Sequence, residues 1–302
     1  MDFRSEEAKP QQAMISCRER SACGFGWFHP RITSNTKEAE KPKSLEIDKS
    51  LILYMRPLHN YVSRMKATSW EFANRAMIFG LIIGLAFLLY SLDHQNGTAV
   101  LANWLAPRLG INAEVLARAF FVAAAALLGI AAFIRTWASA YLHSGVVYAN
   151  EVKAESLVAD GPYRWVRNPL YFANVLMAMG MGAMMSRLGF FFVTMAMLLF
   201  CYRLILREEA ELRKNQGRGY EQYIKSVPRL FPSPPYSSVA AGAGLPNWTA
   251  GIRAELWYWG LAIAVGSFAA TLKVIVFFIV LGASIAWFWL SSAILERRGT
   301  SR

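Results

Sequence analysis

Six long apolar runs divide the chain: Met77–Leu92, Val115–Ile134, Leu170–Met185, Leu188–Leu206, Leu256–Leu272 and Val274–Ile294. A helix that crosses the hydrocarbon core of a bilayer takes about 20 residues, from ~17 upward. The second, fourth and sixth runs meet that length as they stand. The first, third and fifth reach it with flanking residues such as Phe72–Ala76, Asn168–Pro169 and Ile252–Glu255. Only Ser186–Arg187 separates the third run from the fourth, and only Lys273 the fifth from the sixth. Each pair therefore predicts a tight helical hairpin.

The pattern upstream is different. In residues 51–71, Leu51, Tyr54, Met55, Leu58, Tyr61, Val62 and Met65 recur at helical spacing, with Arg56, His59, Asn60, Arg64 and Lys66 between them. Pro57 fits a helix start. This predicts a basic amphipathic helix lying in the membrane interface, although a solvated helix packed on the protein has the same pattern. Residues 1–50 hold nine Lys or Arg and eight Asp or Glu without periodicity, and are expected to be a disordered cytosolic tail. No apolar core of the kind a cleaved leader requires occurs in the first 40 residues. The remaining divisions are a membrane core over 72–232, a Pro- and Gly-bearing linker over 233–254, and a two-helix hairpin with its tail over 255–302.

Composition agrees with this reading. Hydrophobic residues make up 55% and charged residues 17% of the chain, where soluble domains average about 25% charged. Mean hydropathy is +0.28 and the isoelectric point is near 9.8. The net charge of +12 admits either nucleic-acid binding or cationic cytoplasmic loops, and its distribution decides. Residues 1–75 carry 13 Lys or Arg, 135–168 carry 4, 203–255 carry 8 and the C-terminus 3. The intervening segments carry 2 (Arg108 and Arg118), 1 (Arg187) and 1 (Lys273). Cationic loops stay on the cytoplasmic side. The expected fold is therefore an all-α integral membrane protein of about six transmembrane helices, with cytosolic N- and C-termini and a site facing the cytosol. The partners this implies are the bilayer and a membrane lipid or lipidated substrate, not nucleic acid. The three cysteines, Cys17, Cys23 and Cys201, have no CxxC spacing and suggest neither a disulfide framework nor a metal site.

Two cytosolic stretches hold the polar residues that suit chemistry. The first is Asp160-Gly161-Pro162-Tyr163-Arg164-Trp165-Val166-Arg167-Asn168-Pro169-Leu170-Tyr171. Asp-Gly-Pro is turn chemistry. Asn168-Pro169 reads as a helix start, with Asn capping free N–H groups. A helix N-terminus with Arg164 and Arg167 beside it favours an anion, and Tyr163, Trp165 and Tyr171 offer flat rings. A ligand bearing a carboxylate or phosphate and an aromatic base fits this set. So does a plain positive-inside anchor with an aromatic belt. The second stretch is Arg203-Leu204-Ile205-Leu206-Arg207-Glu208-Glu209-Ala210-Glu211. Glu208 and Glu209 stand close to the bilayer in otherwise basic surroundings, where either can accept from hydroxyl or amino groups. An Arg207–Glu211 pair on a solvated helix end accounts only for Glu211. The five methionines of the third run suit adaptable packing, and Gly180-Met181-Gly182 lacks the third glycine of a dinucleotide fingerprint.

Together these blocks resemble the isoprenylcysteine carboxyl methyltransferase and phospholipid N-methyltransferase family of membrane enzymes. The resemblance rests on Gly161–Tyr171, on Arg203 followed by Glu208-Glu209, and on Gly219-Tyr220-Glu221-Gln222-Tyr223-Ile224-Lys225-Ser226-Val227-Pro228-Arg229. It covers roughly residues 135–232. It implies an S-adenosylmethionine-dependent methyltransferase acting on a lipid or lipid-linked acceptor. By position, the implied cofactor contacts are Leu157, Val158, Tyr163, Arg167, Asn168, Pro169, Leu170, Tyr171 and Glu208 or Glu209. Arg203 falls on the substrate side, and Arg203, Glu208 and Glu209 are the implied catalytic residues. The family's histidine before Pro169 is Asn168 here, which can donate a hydrogen bond but not take up a proton near neutral pH. Two other classes remain open: an NADPH-dependent membrane sterol or steroid reductase, and a non-catalytic membrane scaffold.

Overall fold

A computed structural model describes residues 65–142, 159–234 and 245–299. The expected tail, most of the expected interfacial helix, and Leu157 and Val158 lie outside the described residues. Helix dominates, and among the described residues there is no sheet, only an antiparallel bridge between Asn96 and Ser186.

Short α1 (Ser69–Ala73) begins at a capping box, in which Glu71 N–H donates to Thr68 Oγ1 at 3.2 Å and Thr68 N–H to Glu71 Oε2 at 2.6 Å. α2 (Arg75–Leu88) follows and is extended by a tight turn over Leu89–Ser91. Met77, Leu81, Leu85 and Leu88 are exposed along one of its faces, a contiguous apolar stripe of the kind that meets lipid or a partner. α3 (Gly97–Leu109) occupies part of the stretch expected to be a loop between the first two spans. Its signals are local: Asn96 caps Ala99 N–H, and Gly110 ends the helix at φ 66° in the left-handed region.

α4 (Ala113–Tyr141) runs seven residues beyond the apolar stretch that predicted it. Arg135 is thus a buried helical residue and not the start of a loop. α5 (Pro169–Gly182) is shorter than the run Leu170–Met185 and buries most of its residues. α6 (Arg187–Ser226) has 40 residues, about 60 Å at ~1.5 Å per residue, twice the ~30 Å hydrocarbon core. It kinks at Gly217, where φ is 52° and ψ −125°. α7 (Trp248–Ala254) lies within the expected linker. α8 (Leu256–Thr271) and α9 (Val274–Gly299) form the expected hairpin, turning at Leu272. α4 and α6 are long and apolar enough to cross a membrane; α2 with its following turn, α8 and the apolar part of α9 are shorter apolar helices.

α4 is the centre of the bundle and packs against α3, α5, α7 and α8, while α6 packs against α2 and α5. The α5–α6 turn lies at one end with the segment after α2. There Asn96 donates to the Ala183 and Met185 carbonyls, both at 3.1 Å, and Tyr90 to the Met184 carbonyl at 3.0 Å. Arg187 donates to Asp93 at 2.8 Å. These hydrogen bonds hold the Asp93 carboxyl at about 2, below its ordinary value. The motif-bearing segments lie at the opposite end.

Candidate functional site

The run from Gly161 to Tyr171 is a tight turn feeding a helix. Gly161–Arg164 form one 3₁₀ turn. Gly161 has φ 57°, and the Tyr141 ring fills the space a Cβ would need, so both conformation and packing require glycine. Asn168 does not cap α5 as expected. Its side chain turns away instead and donates to the Arg229 carbonyl at 2.9 Å and to Glu209 Oε1 at 3.4 Å. Pro169 begins α5 and needs no hydrogen-bond partner for its nitrogen.

All three sequence blocks converge here. Arg167 N–H donates to the Pro228 carbonyl at 2.9 Å, and Ser233 N–H to the Trp165 carbonyl at 3.1 Å. Tyr223 Oη donates to the Tyr163 carbonyl at 2.7 Å. The Tyr220, Tyr223 and Val227 side chains bury together behind this segment. The segment after α6 is therefore laced along the 163–168 turn by main-chain and side-chain bonds.

The two adjacent glutamates have different surroundings. Glu209 is buried and receives Arg229 Nε at 3.1 and 3.2 Å and its terminal nitrogen at 3.0 Å, with Arg167 3.5 Å away. Its carboxylate is enclosed by two guanidinium groups and Asn168. Glu208 receives the Tyr171 hydroxyl at 2.7 Å, and so belongs to the α5 side of the cluster.

Several donors in the turn are left over. The Tyr163 hydroxyl and the Nε of both Arg164 and Arg167 are buried without a hydrogen-bond partner among the described residues, while a terminal nitrogen of Arg167 faces Glu209. Burial pushes the Tyr163 phenol well above its ordinary value, with the nearby Tyr223 and Glu208 adding to the rise. It stays protonated throughout the neutral range and can serve as a hydrogen-bond donor.

Arg203 points elsewhere. Its guanidinium binds both oxygens of Glu71 at 2.8 Å, and its carbonyl accepts Ala67 N–H at 3.1 Å. Arg207 donates to the Ala67 carbonyl at 3.2 Å and to Ser69 at 3.3 Å, in place of the i,i+4 partner Glu211. Both arginines thus hold the segment around α1 against α6, with Phe72 buried beneath Arg75 and Arg207.

A further polar cluster escaped the sequence reading. Arg135 on α4 donates to Glu255 at 2.5 and 3.1 Å, to Asn174 Oδ1 at 2.8 Å and to the Leu170 carbonyl at 3.4 Å. Ser139 and Tyr258 complete it, donating to Glu255 at 2.6 Å and to Asn174 at 2.9 Å. The signal available was an Arg continuing an apolar helix and a Glu heading a span, 120 positions apart.

The phospholipid methyltransferase family model matches residues 119–218. This stretch is similar to phospholipid methyltransferase domains. It runs from within α4 to the residue after the Gly217 kink, and so contains the 161–171 turn and both glutamates. The laced segment at 219–233 and Glu255 lie beyond the matched methyltransferase domain. The chain is 24% identical over 220 residues to the cobalt-zinc-cadmium resistance protein CzcN of Cupriavidus metallidurans, covering 70% of this chain and 86% of that protein. It is 28% identical over 86 residues to the nickel-cobalt-cadmium resistance protein NccN of Alcaligenes xylosoxydans xylosoxydans, covering 28% of this chain and 40% of that protein. No solved structure matches. Among the described residues, no three His, Cys, Asp or Glu side chains are grouped to hold a metal ion.

Proposed function

We propose that the protein transfers a methyl group from S-adenosylmethionine to a lipid or lipid-linked acceptor at the cytosolic face of the membrane, in the manner of an isoprenylcysteine carboxyl methyltransferase. In this reading six helices cross the bilayer and both termini are cytosolic. The observation that carries it is the convergence of the 161–171 turn, Glu208 and the 223–229 segment at one end of the stretch similar to phospholipid methyltransferase domains.

The residues fit the cofactor. A sulfonium amino acid with an adenosyl group presents a carboxylate, an ammonium, ribose hydroxyls and an aromatic base. The unpartnered donors of Tyr163, Arg164 and Arg167 beside the α5 N-terminus suit the carboxylate. Tyr163, Asn168, Pro169, Leu170 and Tyr171 would hold the cofactor, joined by Leu157 and Val158 on the family resemblance alone, and Glu208 would accept from its hydroxyl or amino groups. When bound, S-adenosylmethionine supplies an electrophilic methyl group on a sulfonium.

The chain's own contribution is mainly orientation, since alignment of donor and acceptor supplies much of the rate of an in-line displacement. A carboxylate acceptor is already nucleophilic and asks no base of the protein. A thiol or ammonium must lose a proton, and Glu208 takes it, with Tyr171 steadying the carboxylate. Glu209, enclosed by Arg167 and Arg229, fixes the turn instead. Asn168 does the same by anchoring to the Arg229 carbonyl, a task that needs a donor and no titratable proton. Arg203, which the family resemblance puts on the acceptor side, is committed to Glu71 and holds the segment around α1 against α6.

Calorimetric titration of the purified full chain with S-adenosylmethionine and separately with NADPH tests this reading. Binding of the first is expected, with loss of binding in the folded Tyr163→Ala/Glu208→Ala variant. Binding of NADPH alone would make the protein a reductase and overturn the proposal.

A further inference from the structure

The C-terminal hairpin lies outside the matched methyltransferase domain, yet its base is built into the same end of the bundle. α7 and the start of α8 grip α4 between Arg135 and Ala140. Asn247 N–H donates to the Ala140 carbonyl at 2.7 Å, and Trp259 Nε1 to Thr136 Oγ1 at 3.0 Å. Gly251 lies so close to α4 that a Cβ would stand 2.6 Å from the Thr136 carbonyl oxygen. Glu255 is the centre of the grip. It heads α8 but does not cap it; its fully buried carboxylate goes to Arg135 and Ser139.

Arg135 carries the connection onward. From Glu255 it reaches Asn174 and the Leu170 carbonyl in the first two turns of α5, and Tyr258 of α8 binds the same Asn174 oxygen. The Arg135 guanidinium also stacks 4.2 Å from the centre of the Tyr258 ring. The residue after Leu170 is Tyr171, the partner of Glu208. A continuous path of short contacts therefore joins α8 to the start of α5, where the proposed cofactor contacts lie.

A buried ion pair of this kind is a weak source of stability, because desolvation offsets most of the attraction. Its geometric effect is larger: a guanidinium held through two of its three nitrogens by one carboxylate has one orientation. We propose that Glu255 is a positioning residue for the methyl-transfer site, acting through Arg135 to set the first turns of α5 against Glu208. The C-terminal hairpin is on this account part of the cofactor site's frame and not only an anchor. The inference rests on the function proposed above.

The test uses the full chain in lipid nanodiscs and reads the S-adenosylmethionine dissociation constant by calorimetry, with the melting temperature alongside. Glu255→Gln should weaken binding ten-fold or more, and Glu255→Asp should recover most of the loss. Asp93→Asn, which breaks the ion pair at the opposite end of the bundle, should lower the melting temperature and leave the dissociation constant unchanged. Should Glu255→Gln fail to fold, Arg135→Met/Glu255→Met removes both charges together and is expected to fold and bind ten-fold more weakly. Wild-type affinity in either folded Glu255→Gln or the double variant overturns the positioning role. Absence of binding in the wild type overturns the proposed function instead, so the two failures are distinguishable.

Discussion

The Glu209 carboxylate offers the sharpest quantitative prediction. Replacing it by Gln keeps the shape and removes the charge. The side chain is 1% exposed, and of its two guanidinium partners Arg167 is 9% exposed and Arg229 31%. Arg167 would be left buried without its counter-charge, a loss worth about 3–5 kcal/mol when one partner of a buried pair is removed. Arg229 can turn toward water and recover part of its share. The Gln amide oxygen still accepts one hydrogen bond, worth about 1 kcal/mol. The expected net destabilisation is about 2–4 kcal/mol. Arg229→Ala should cost less, about 1–2 kcal/mol, because Glu209 keeps Arg167 and Asn168. The assay is reversible denaturant unfolding of the full chain in mixed micelles, followed by tryptophan fluorescence. An effect of Glu209→Gln below 0.5 kcal/mol (~two-fold in the unfolding constant), or smaller than that of Arg229→Ala, would refute the reasoning.

Other consequences can be checked with the same preparations. Tyr171→Phe removes the donor to Glu208 and should lower the methyl-transfer turnover about ten-fold, equivalent to ~1.4 kcal/mol, while leaving the melting temperature near wild type. Gly217→Ala places a Cβ in open space but at φ 52°, so backbone strain alone should destabilise the chain by about 1–3 kcal/mol, read by the same unfolding titration. Asp93 titrates at about 2 when folded, against 3.8 ordinarily. A depressed carboxylate stabilises the fold above its unfolded value and loses that contribution as pH falls through the folded one. The stability difference between wild type and Asp93→Asn should therefore be constant above pH 4 and shrink between pH 4 and 2. A difference independent of pH over that window would contradict the assigned pairing.

The apolar helices were legible because burial in lipid or protein writes itself locally, as runs such as Val115–Ile134 and Leu188–Leu206. So were the three chemical blocks, whose turn residues and paired carboxylates are contiguous. α3 carries local signals as well: Asn96 and Gly110 are ordinary start and stop signals. What stayed hidden is non-local. Nothing near Arg203 announces Glu71, and nothing near Arg135 announces Glu255, because each pair forms only once the helices pack. Asn168 shows the same limit in miniature. Its position before Pro169 suits a cap, but the Arg229 carbonyl, brought in from 61 residues away, competes successfully for its amide.

Transfer of label tests the central claim most directly. Membranes containing the full chain, incubated with methyl-labelled S-adenosylmethionine and extracted with organic solvent, should yield a labelled lipid or lipid-linked species. That species should be absent from membranes carrying the Tyr163→Ala/Glu208→Ala variant. Label confined to the aqueous phase, or appearing equally with the variant, would contradict the account.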